Sequence, residues 1–405
     1  MAHFAIIAPP LAGHINPMLA LARVLVERGH RVTFLQQSHG AALVRAAAMD
    51  VTLIGGGRDQ GTHPTTGRGP VDTARTIRSV AKRAQTICTE APDILRAIGA
   101  DAAIVDQLEP AGALVARSLG LPLVTVANAL PINREPAIPP PYVGWRYDPT
   151  PFGLWRNRGG YRIADWLMRP VTKVLSCHAA RWGIHPRQHF EDYGSDLAQI
   201  SQAVASIDFP RRRLPDSFQY TGPLRLPDDG EFAIPAGSGQ PLIFASLGTL
   251  QGARARLFAK IARACDALGA KLVLAHGGLL SPSETAALPG NPVVEPFVPQ
   301  RAVLRHADLA ITHAGFNTVL DALSFGVPMV TLPLAFEQPA TAARLDRAGV
   351  TRVLSPNASW RQLACGISAA LNEREYRNRA SVIQAEINAA GGVQKAADII
   401  HFAIS

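Results

Sequence analysis

Residues 4–35 read FAIIAPPLAGHINPMLALARVLVERGHRVTFL, and this stretch decides the fold class. It opens with a short apolar strand and continues through a loop over residues 9–16. A helix is then predicted to begin at Pro17 and to end at Gly29, followed by a second apolar strand at 32–35. A strand, a helix and a strand in this order are typical of parallel sheets covered by helices, so we expect an α/β protein.

Two series of such units run along the chain. The first series continues with apolar strands at 102–105 and 123–126, which flank a predicted helix at 110–119. The second series has predicted strands at 242–245, 271–275, 309–312 and 329–332, with helices at 253–268 and from about Asn317. We therefore expect two Rossmann-like, doubly wound domains that face each other across a cleft. Their ligands would bind outside the carboxyl ends of the strands.

A loose stretch separates the two series and predicts the domain boundary. Residues 225–241 read RLPDDGEFAIPAGSGQP, which is rich in turn-forming residues. We therefore expect an N-terminal domain over 1–224, this linker, and a C-terminal domain over 242–395. The tail at 396–405 is expected to pack back on the N-terminal domain.

Composition excludes several classes of protein. Of the 405 residues, 47% are apolar and 18% are charged, which excludes a disordered chain, a collagen and a coiled coil. The net charge of +9 favours anionic partners such as nucleotides, phosphates or acidic lipids. Because no basic run is longer than 211–213, we do not expect a nucleic acid partner.

The cysteines and the opening segment predict a compartment. The first residues lack a basic leader and a long apolar run, so neither a signal peptide nor a membrane span is expected. Four widely separated cysteines predict reduced thiols in a cytoplasmic protein, peripheral to a membrane at most. They are Cys88, Cys177, Cys265 and Cys365.

The segment 142–182 has a composition of its own. It holds four of the five tryptophans, and its seven basic residues outnumber two acidic ones. This mixture suits peripheral contact with a membrane, or a lid over an apolar ligand. The alternative is that the aromatic side chains simply pack inward. Charge reversal at Arg156, Arg158 and Arg162 would separate the two interpretations through binding to anionic liposomes.

The segment 297–338 carries the most informative motif. A predicted strand ends just before His313, and a helix begins near Asn317. Gly315 permits a ligand to approach the backbone closely, and the unpaired amides of a helix start favour a phosphate. Asn317 or Thr318 alone would be an ordinary helix cap. The neighbouring His313 and the carboxylates further along favour a nucleotide-sugar site.

This segment resembles the donor-binding signature of family 1 glycosyltransferases, which use nucleotide sugars and have the two-Rossmann GT-B fold. That signature runs from aromatic-x-Pro-Gln, through His-x-Gly-x-Asn-Ser, to an acidic-Gln pair. The resemblance implies a role for each matching residue. The nucleobase would stack on Phe297, and its edge and the ribose would be held by Val298 and Gln300. The pyrophosphate would be bound around Gly315 by His313, Asn317 and Thr318. The ribose hydroxyls would be bound by Asp321, and the sugar would be held by Glu337 and Gln338.

Three positions depart from the family pattern. Thr318 replaces Ser, Asp321 replaces Glu, and Glu337 replaces Asp. Each change keeps the chemical group and alters its reach or bulk. These positions therefore bear on which sugar and which nucleotide are preferred.

The stretch FASLGT resembles the Ser-x-Gly-Thr loop of the same family. This resemblance implies that Ser246, Gly248 and Thr249 lie near the donor phosphates. A hydrolase is the alternative, since Ser246, Asp308 and His313 follow the chain order of α/β-hydrolases. However, the residue two places before Ser246 is not glycine, and His313 follows Asp308 too closely.

His14 is the candidate base. It belongs to a Gly-His-x-x-Pro loop after the first predicted strand, and Asp106 ends another strand of the same sheet. A histidine can take a proton from an attacking alcohol, and a carboxylate behind it fixes the tautomer and stabilises the imidazolium. The loop also resembles family 1 enzymes, in which this histidine is the base and such an aspartate is its partner.

No cofactor is expected. The sequence contains no Asp-x-Asp, no Walker loop and no His-Glu-x-x-His, so a metal clamp on the diphosphate is not predicted. Helix amides and His313 would stabilise the leaving group. UDP-glucose is the implied co-substrate.

A narrower resemblance points to the acceptor. Residues 105–115, VDQLEPAGALV, and 128–136, NALPINREP, are similar to the carotenoid-modifying branch of family 1. The resemblance implies glucose transfer to the ring hydroxyls of zeaxanthin, with inversion, to give the mono- and the diglucoside. Three alternatives stay open: the same chemistry on a macrolide, flavonoid or sterol, a nucleotide-sugar epimerase, and a carotenoid carrier without activity.

Overall fold

The computed structural model describes residues 1–56, 69–227, 230–234, 239–251 and 253–404. Within them the chain forms two parallel sheets, each covered by helices. This arrangement confirms the predicted α/β class with two Rossmann-like units.

The first sheet has seven strands in the order β3-β2-β1-β4-β5-β6-β7, and neighbouring strands pair in parallel. The central strands are buried along their whole length, as expected for a sheet covered on both faces. The strands are β1 (His3–Ile7), β2 (Arg31–Gln36), β3 (Asp50–Leu53), β4 (Ala102–Asp106), β5 (Leu123–Ala127), β6 (Ala198–Ser201) and β7 (Phe218–Tyr220). The helices between them are α1 (Ala12–Glu27), α2 (Ser38–Ala46), α3 (Gly69–Ile98), α4 (Pro110–Ser118) and α5 (Pro151–Arg181).

The start of α1 differs from the prediction. The helix begins at Ala12, so Pro17 lies inside it and does not occupy the first helical position, and His14 lies in its first turn. Proline has no N–H, and its ring crowds the carbonyl four residues earlier, which here belongs to Gly13. That carbonyl is therefore left without a partner inside the helix.

The second sheet has six strands in the order β10-β9-β8-β11-β12-β13, again paired in parallel. The strands are β8 (Leu242–Ser246), β9 (Lys271–Ala275), β10 (Val293–Glu295), β11 (Leu309–Thr312), β12 (Met329–Thr331) and β13 (Thr351–Val353). The helices are α6 (Gly248–Gln251), α7 (Ala255–Ala267), α8 (Pro282–Ala286), α9 (Gln300–Leu304), α10 (Phe316–Ser324), α11 (Gln338–Ala348), α12 (Trp360–Asn372) and α13 (Arg374–Ala389).

The last helix, α14 (Gly392–Ile404), packs with the first sheet. Its apolar face, from Val393 to Ile400, belongs to the same buried cluster as β1 and α1. This helix begins at 392, ahead of the tail predicted at 396–405. Within the predicted linker 225–241, residues 228–229 and 235–238 lie outside the described residues.

The two units contact each other through apolar and charged groups. Leu130 and Val204 from the first unit share a buried cluster with α10 and β8 of the second. Beside them, Arg344 Nε of α11 lies 2.8 Å from Asp208 Oδ1, and Arg211 Nε lies 2.8 Å from Asp208 Oδ2. The two guanidinium groups offset the burial of Asp208 and hold its pKa below the ordinary value. This contact brings the carboxyl edges of the two sheets together.

Candidate active site

His14 and Asp106 form a hydrogen-bonded pair at the carboxyl edge of the first sheet. His14 Nδ1 lies 2.7 Å from Asp106 Oδ2, and 13% of the histidine side chain is exposed whereas none of the aspartate is. Since the carboxylate accepts a hydrogen bond from Nδ1, the Nε2 atom carries the free lone pair. The structure thus brings together the two residues that the sequence singled out as base and partner.

Two amide side chains hold Asp106 in place. Asn128 Nδ2 donates to Asp106 Oδ2 at 2.7 Å, and Gln202 Nε2 donates to Asn128 Oδ1 at 3.0 Å. The Leu108 N–H donates to the other carboxylate oxygen at 2.8 Å. Neither Asn128 nor Gln202 was predicted from the sequence. Asn128 is the first residue after β5, the neighbour of β4, and Gln202 is the first residue after β6, the next strand in the sheet order; a polar residue directly after a strand of this sheet is the signal that would have found them.

Charges around His14 strengthen it as a base. Burial alone lowers the pKa of His14, but the charge and hydrogen bond of Asp106 outweigh burial and raise the pKa above its ordinary value, with help from Glu337 and Glu109. Burial raises the pKa of Glu109 to about 7, although Arg83 Nε lies 2.8 Å from its Oε1. The raised pKa of His14 means that its protonated form is stabilised, as a general base requires.

The turn between β11 and α10 packs tightly around His313. A Cβ atom added to Gly315 would lie 2.5 Å from the His313 ring, and one added to Gly248 would lie 2.7 Å from it. Ala314 has a φ of +66°, a conformation that non-glycine residues seldom adopt outside functional sites. A side chain at either glycine would therefore collide with the imidazole of His313.

His313 is uncharged near neutral pH. Burial lowers its pKa to about 4, although a hydrogen bond with the backbone of Ser246 works in the opposite direction. Gly315 caps α10 without a side-chain hydrogen bond, which leaves amides of the first turn for a ligand. The free amides at this helix start can donate hydrogen bonds to a phosphate, and the His313 ring lies beside them.

The residues predicted for the nucleobase and the phosphate loop lie at the ends of β10 and β8, two strands that are separated by β9. The Phe297 side chain is 66% exposed and its ring lies beside Gly278, so one aromatic face is open to a base. Ser246 is buried and its Oγ accepts from the Gly248 N–H at 3.3 Å, whereas Thr249 is exposed.

Gln300 and Asp321, predicted for the ribose, form one hydrogen-bonded group with Thr318, which was predicted for the pyrophosphate. Gln300 Nε2 donates to Asp321 Oδ2 at 2.7 Å, and Thr318 Oγ1 donates to Gln300 Oε1 at 3.1 Å. Asp321 Oδ1 accepts from Arg225 Nε at 2.8 Å. Both carboxylate oxygens of Asp321 are thus bound by side chains of the protein. Arg225 could not be predicted from the sequence, because no regular element surrounds it. Val298 is partly buried and packs against the core of the second unit.

Asn317 joins the two units. Its Nδ2 donates to the Gly13 carbonyl at 2.6 Å, and its Oδ1 accepts from Arg225 Nη2 at 2.8 Å. The Gly13 carbonyl is free for this bond because Pro17 cannot donate to it within α1. The start of the predicted donor helix therefore contacts the residue next to His14.

The predicted sugar residues begin α11. Glu337 is half-buried, its pKa is raised by burial, and its charge in turn acts on His14. Gln338 Oε1 accepts from the backbone amides of Leu334 and Ala335, both at 2.9 Å, so its amide group is oriented by the preceding loop. Both residues follow Phe336, which has a φ of +54°.

The hydrolase alternative is wrong. Asp308 lies immediately before β11, and His313 lies immediately after it, so the two residues are at opposite ends of the strand. Asp308 instead binds the Leu242 amide at 2.9 Å and Arg377 at 3.1 Å. Among the residues that the structure describes, no three His, Cys, Asp or Glu side chains lie together as metal ligands.

The aromatic side chains of segment 142–182 fall into two groups, one packed inward and one exposed. Tyr161 is buried under Arg134, and Trp145 packs against Gly160. A stripe along the outer face of α5 is instead 61–68% exposed. The stripe, called the α5 stripe below, consists of Phe152, Trp155, Ile163 and Trp166. In the described part of the chain, no helix has the length and apolar character needed to cross a bilayer.

Comparisons with known proteins identify the family of this chain. Residues 162–385 match the sequence model of the family described as UDP-glucoronosyl and UDP-glucosyl transferase. The chain is 41% identical to the zeaxanthin glucosyltransferase of Pseudescherichia vulneris, over 100% of this chain and 98% of that one. It is 40% identical to the zeaxanthin glucosyltransferase of Pantoea ananas, over 99% and 95%.

The fold has solved counterparts as well. A crystal structure of the calicheamicin glycosyltransferase superposes with a TM-score of 0.81, at 24% identity, over 100% of this chain and 98% of that one. This similarity confirms the predicted GT-B arrangement. The chain therefore belongs to the family of UDP-glucuronosyl and UDP-glucosyl transferases and is a glycosyltransferase.

Proposed function

We propose that this glycosyltransferase moves glucose from UDP-glucose to the ring hydroxyls of zeaxanthin and gives the mono- and the di-β-glucoside. The observation that carries the reaction type is the His14–Asp106 pair, which lies beside the contact between Gly13 and Asn317. Through this contact His14, the proposed general base, lies next to the predicted donor helix. The acceptor rests on the names of the two relatives at 41% and 40% identity.

The mechanism is a single displacement. His14 Nε2 takes the proton of the acceptor hydroxyl as its oxygen attacks the anomeric carbon, on the side opposite the leaving UDP. Asp106 keeps the proton of the neutral imidazole on Nδ1 and stabilises the imidazolium that forms. Attack from the opposite side converts the α-linked donor into a β-glucoside.

We propose that UDP-glucose binds without a metal ion. The amides at the start of α10 would donate hydrogen bonds to the diphosphate as it leaves, and His313 would line this phosphate site. Phe297 would stack on uracil, Gln300 and Asp321 would hold the ribose, and Glu337 and Gln338 would hold the glucose hydroxyls. The expected rate in excess EDTA equals the rate without it, and a loss that Mg²⁺ restores would contradict this part.

An assay with solubilised pigment tests the proposal. Purified protein, zeaxanthin in detergent micelles and UDP-glucose should give more polar pigments with unchanged absorption, separated by chromatography. His14→Ala should abolish these products and leave UDP binding, measured by calorimetry, nearly unchanged. His185→Ala, at an exposed histidine, is the matched control. UDP binding without product would redirect the search to another lipophilic acceptor, and absent UDP binding would contradict the proposal.

We further propose that the α5 stripe rests on an anionic membrane, where such an acceptor dissolves. Trp155 and Trp166 lie on one helical face, and the stripe extends over about 21 Å at 1.5 Å per residue. Six basic residues against one acidic residue give α5 the charge that complements anionic lipid. The one acid, Asp165, is paired with Arg134 at 2.7 Å.

Liposome binding tests this contact. The double variant Trp155→Ser with Trp166→Ser, and the double variant Arg158→Glu with Arg162→Glu, should each reduce cosedimentation with anionic vesicles. Arg156 is a poor target, because its Nη2 donates to the Arg146 carbonyl at 2.8 Å. Charge reversal at the exposed Arg352 is the control. Equal binding by all variants would contradict the membrane contact.

A further inference from the structure

A closed circuit, made of hydrogen bonds and the peptide link between Gly13 and His14, includes the catalytic pair and passes through both domains. On one side it runs from Arg225 Nη1 to Gln202 Oε1 at 2.9 Å, and then through Asn128 to Asp106. On the other side it runs from Arg225 Nη2 to Asn317 Oδ1 at 2.8 Å, and then to Gly13, the neighbour of His14. Both arms begin at the same guanidinium group.

Arg225 sets the direction of these bonds together with the Leu224 N–H, which also donates to Gln202 Oε1, at 3.1 Å. A guanidinium group only donates hydrogen bonds, so Gln202 and Asn317 must each turn an oxygen towards it. Their amide nitrogens then point onward, to Asn128 Oδ1 and to the Gly13 carbonyl. Asn128 is oriented in turn, and its nitrogen reaches Asp106. Arg225 therefore contributes directly to the orientation of the Gln202 and Asn317 amide groups, and through Gln202 to that of Asn128.

The position of Arg225 connects the two halves of the reaction. Its Nε binds Asp321 Oδ1 at 2.8 Å, so it contacts two of the predicted donor ligands, Asp321 and Asn317. Through Gln202 it also contacts the chain of amides behind the base. Its side chain is only 17% exposed, which holds the guanidinium in one place.

We infer that Arg225 is a positioning residue that ties the seating of the donor domain to the orientation of the His14–Asp106 pair. It acts on the transfer step through Gln202 and Asn317 and does not touch the reacting atoms. This inference rests on the proposed transfer reaction. A lysine keeps the charge beside Asp321 but cannot serve Gln202, Asn317 and Asp321 from one nitrogen in the geometry of a planar guanidinium.

The kinetics of the Arg225→Lys variant show whether Arg225 positions its partners or only supplies a positive charge beside Asp321. We expect kcat for zeaxanthin glucosylation to fall about 10- to 30-fold, and the Kd for UDP to change less than about threefold. Arg28→Lys is the matched control, because Arg28 joins α1 to Asp398 of α14 at 2.7 Å, away from the site. A kcat for Arg225→Lys equal to the wild-type value would overturn the inference.

A second variant tests the path. Gln202→Glu has nearly the same shape and still accepts from Arg225, but it cannot donate to Asn128 Oδ1. We expect a similar loss in kcat and no further loss in the double variant with Arg225→Lys, since both changes break one circuit. Losses that multiply would overturn the shared path. Failure of the wild-type protein to bind UDP would instead count against the proposed function.

Discussion

Replacing Asp106 by Asn tests the catalytic pair most directly. Asp106 Oδ2 accepts from both His14 and Asn128, and Oδ1 accepts from the Leu108 amide. An asparagine has one oxygen for these three donors. With its oxygen towards His14, its amino group meets the Leu108 N–H. With its amino group towards His14, the imidazole must carry its proton on Nε2, where it cannot act as a base.

The size of the effect follows from these contacts. Losing the carboxylate that stabilises the imidazolium costs about 2 kcal/mol, and the misplaced buried donor costs about 2 kcal/mol more. Together these losses lower kcat by about a thousandfold. The Kd for UDP should stay within about twofold, because Asp106 contacts no predicted donor ligand.

The assay measures initial rates of glucoside formation from micellar zeaxanthin between pH 5 and 9, with UDP calorimetry on the same samples. In the wild-type protein the rate rises with pH through the raised pKa of His14, because the base acts when deprotonated. Without the Asp106 charge this pKa falls, so the remaining activity of Asp106→Asn reaches its plateau at lower pH. Asp93→Asn, at an exposed position, is the control. A rate within tenfold of the wild-type value would refute the reasoning.

Three further changes test other parts of the site. Phe297→Ala removes an exposed ring and should weaken binding of both UDP and uridine about 10-fold in calorimetry; equal affinities would rule out stacking. Gly315→Ala places a Cβ 2.5 Å from His313 and should raise the KM for UDP-glucose about 10-fold or more, and an unchanged KM would show that the turn can relax. Pro17→Ala supplies an N–H to the Gly13 carbonyl, so it should raise the melting temperature while lowering kcat, and a gain in both would contradict the role given to that carbonyl.

Local sequence pattern predicted the elements and the candidate pair. Strands such as β11, at Leu309–Thr312, are short apolar runs buried on both faces, so their bounds can be recognised from composition alone. His14 and Asp106 could be paired because both lie at the carboxyl end of strands in one sheet. The assignment of Phe297 and Glu337 to the donor stays a prediction.

Contacts between residues that are far apart in the sequence could not be predicted from local sequence pattern. Pro17 looked like a helix start because proline is common there, and only the contact with Asn317 explains its place inside α1. Arg225 lies in irregular chain, and its three partners at 202, 317 and 321 are far away in sequence. The spacing of apolar residues along the chain carries no information about which distant side chains bond to each other.

The return of α14 to the first sheet means that the chain crosses between the domains twice. The two crossings touch: the Gly392 N–H donates to the Thr221 carbonyl at 2.7 Å, and Gly222 lies against Ala390. Two adjacent tethers leave the domains free to rotate about one line and resist sliding or twisting along it. A single proteolytic cut in either tether would therefore leave the two domains joined by the other tether. The domains could then move apart in many more directions than about the one line.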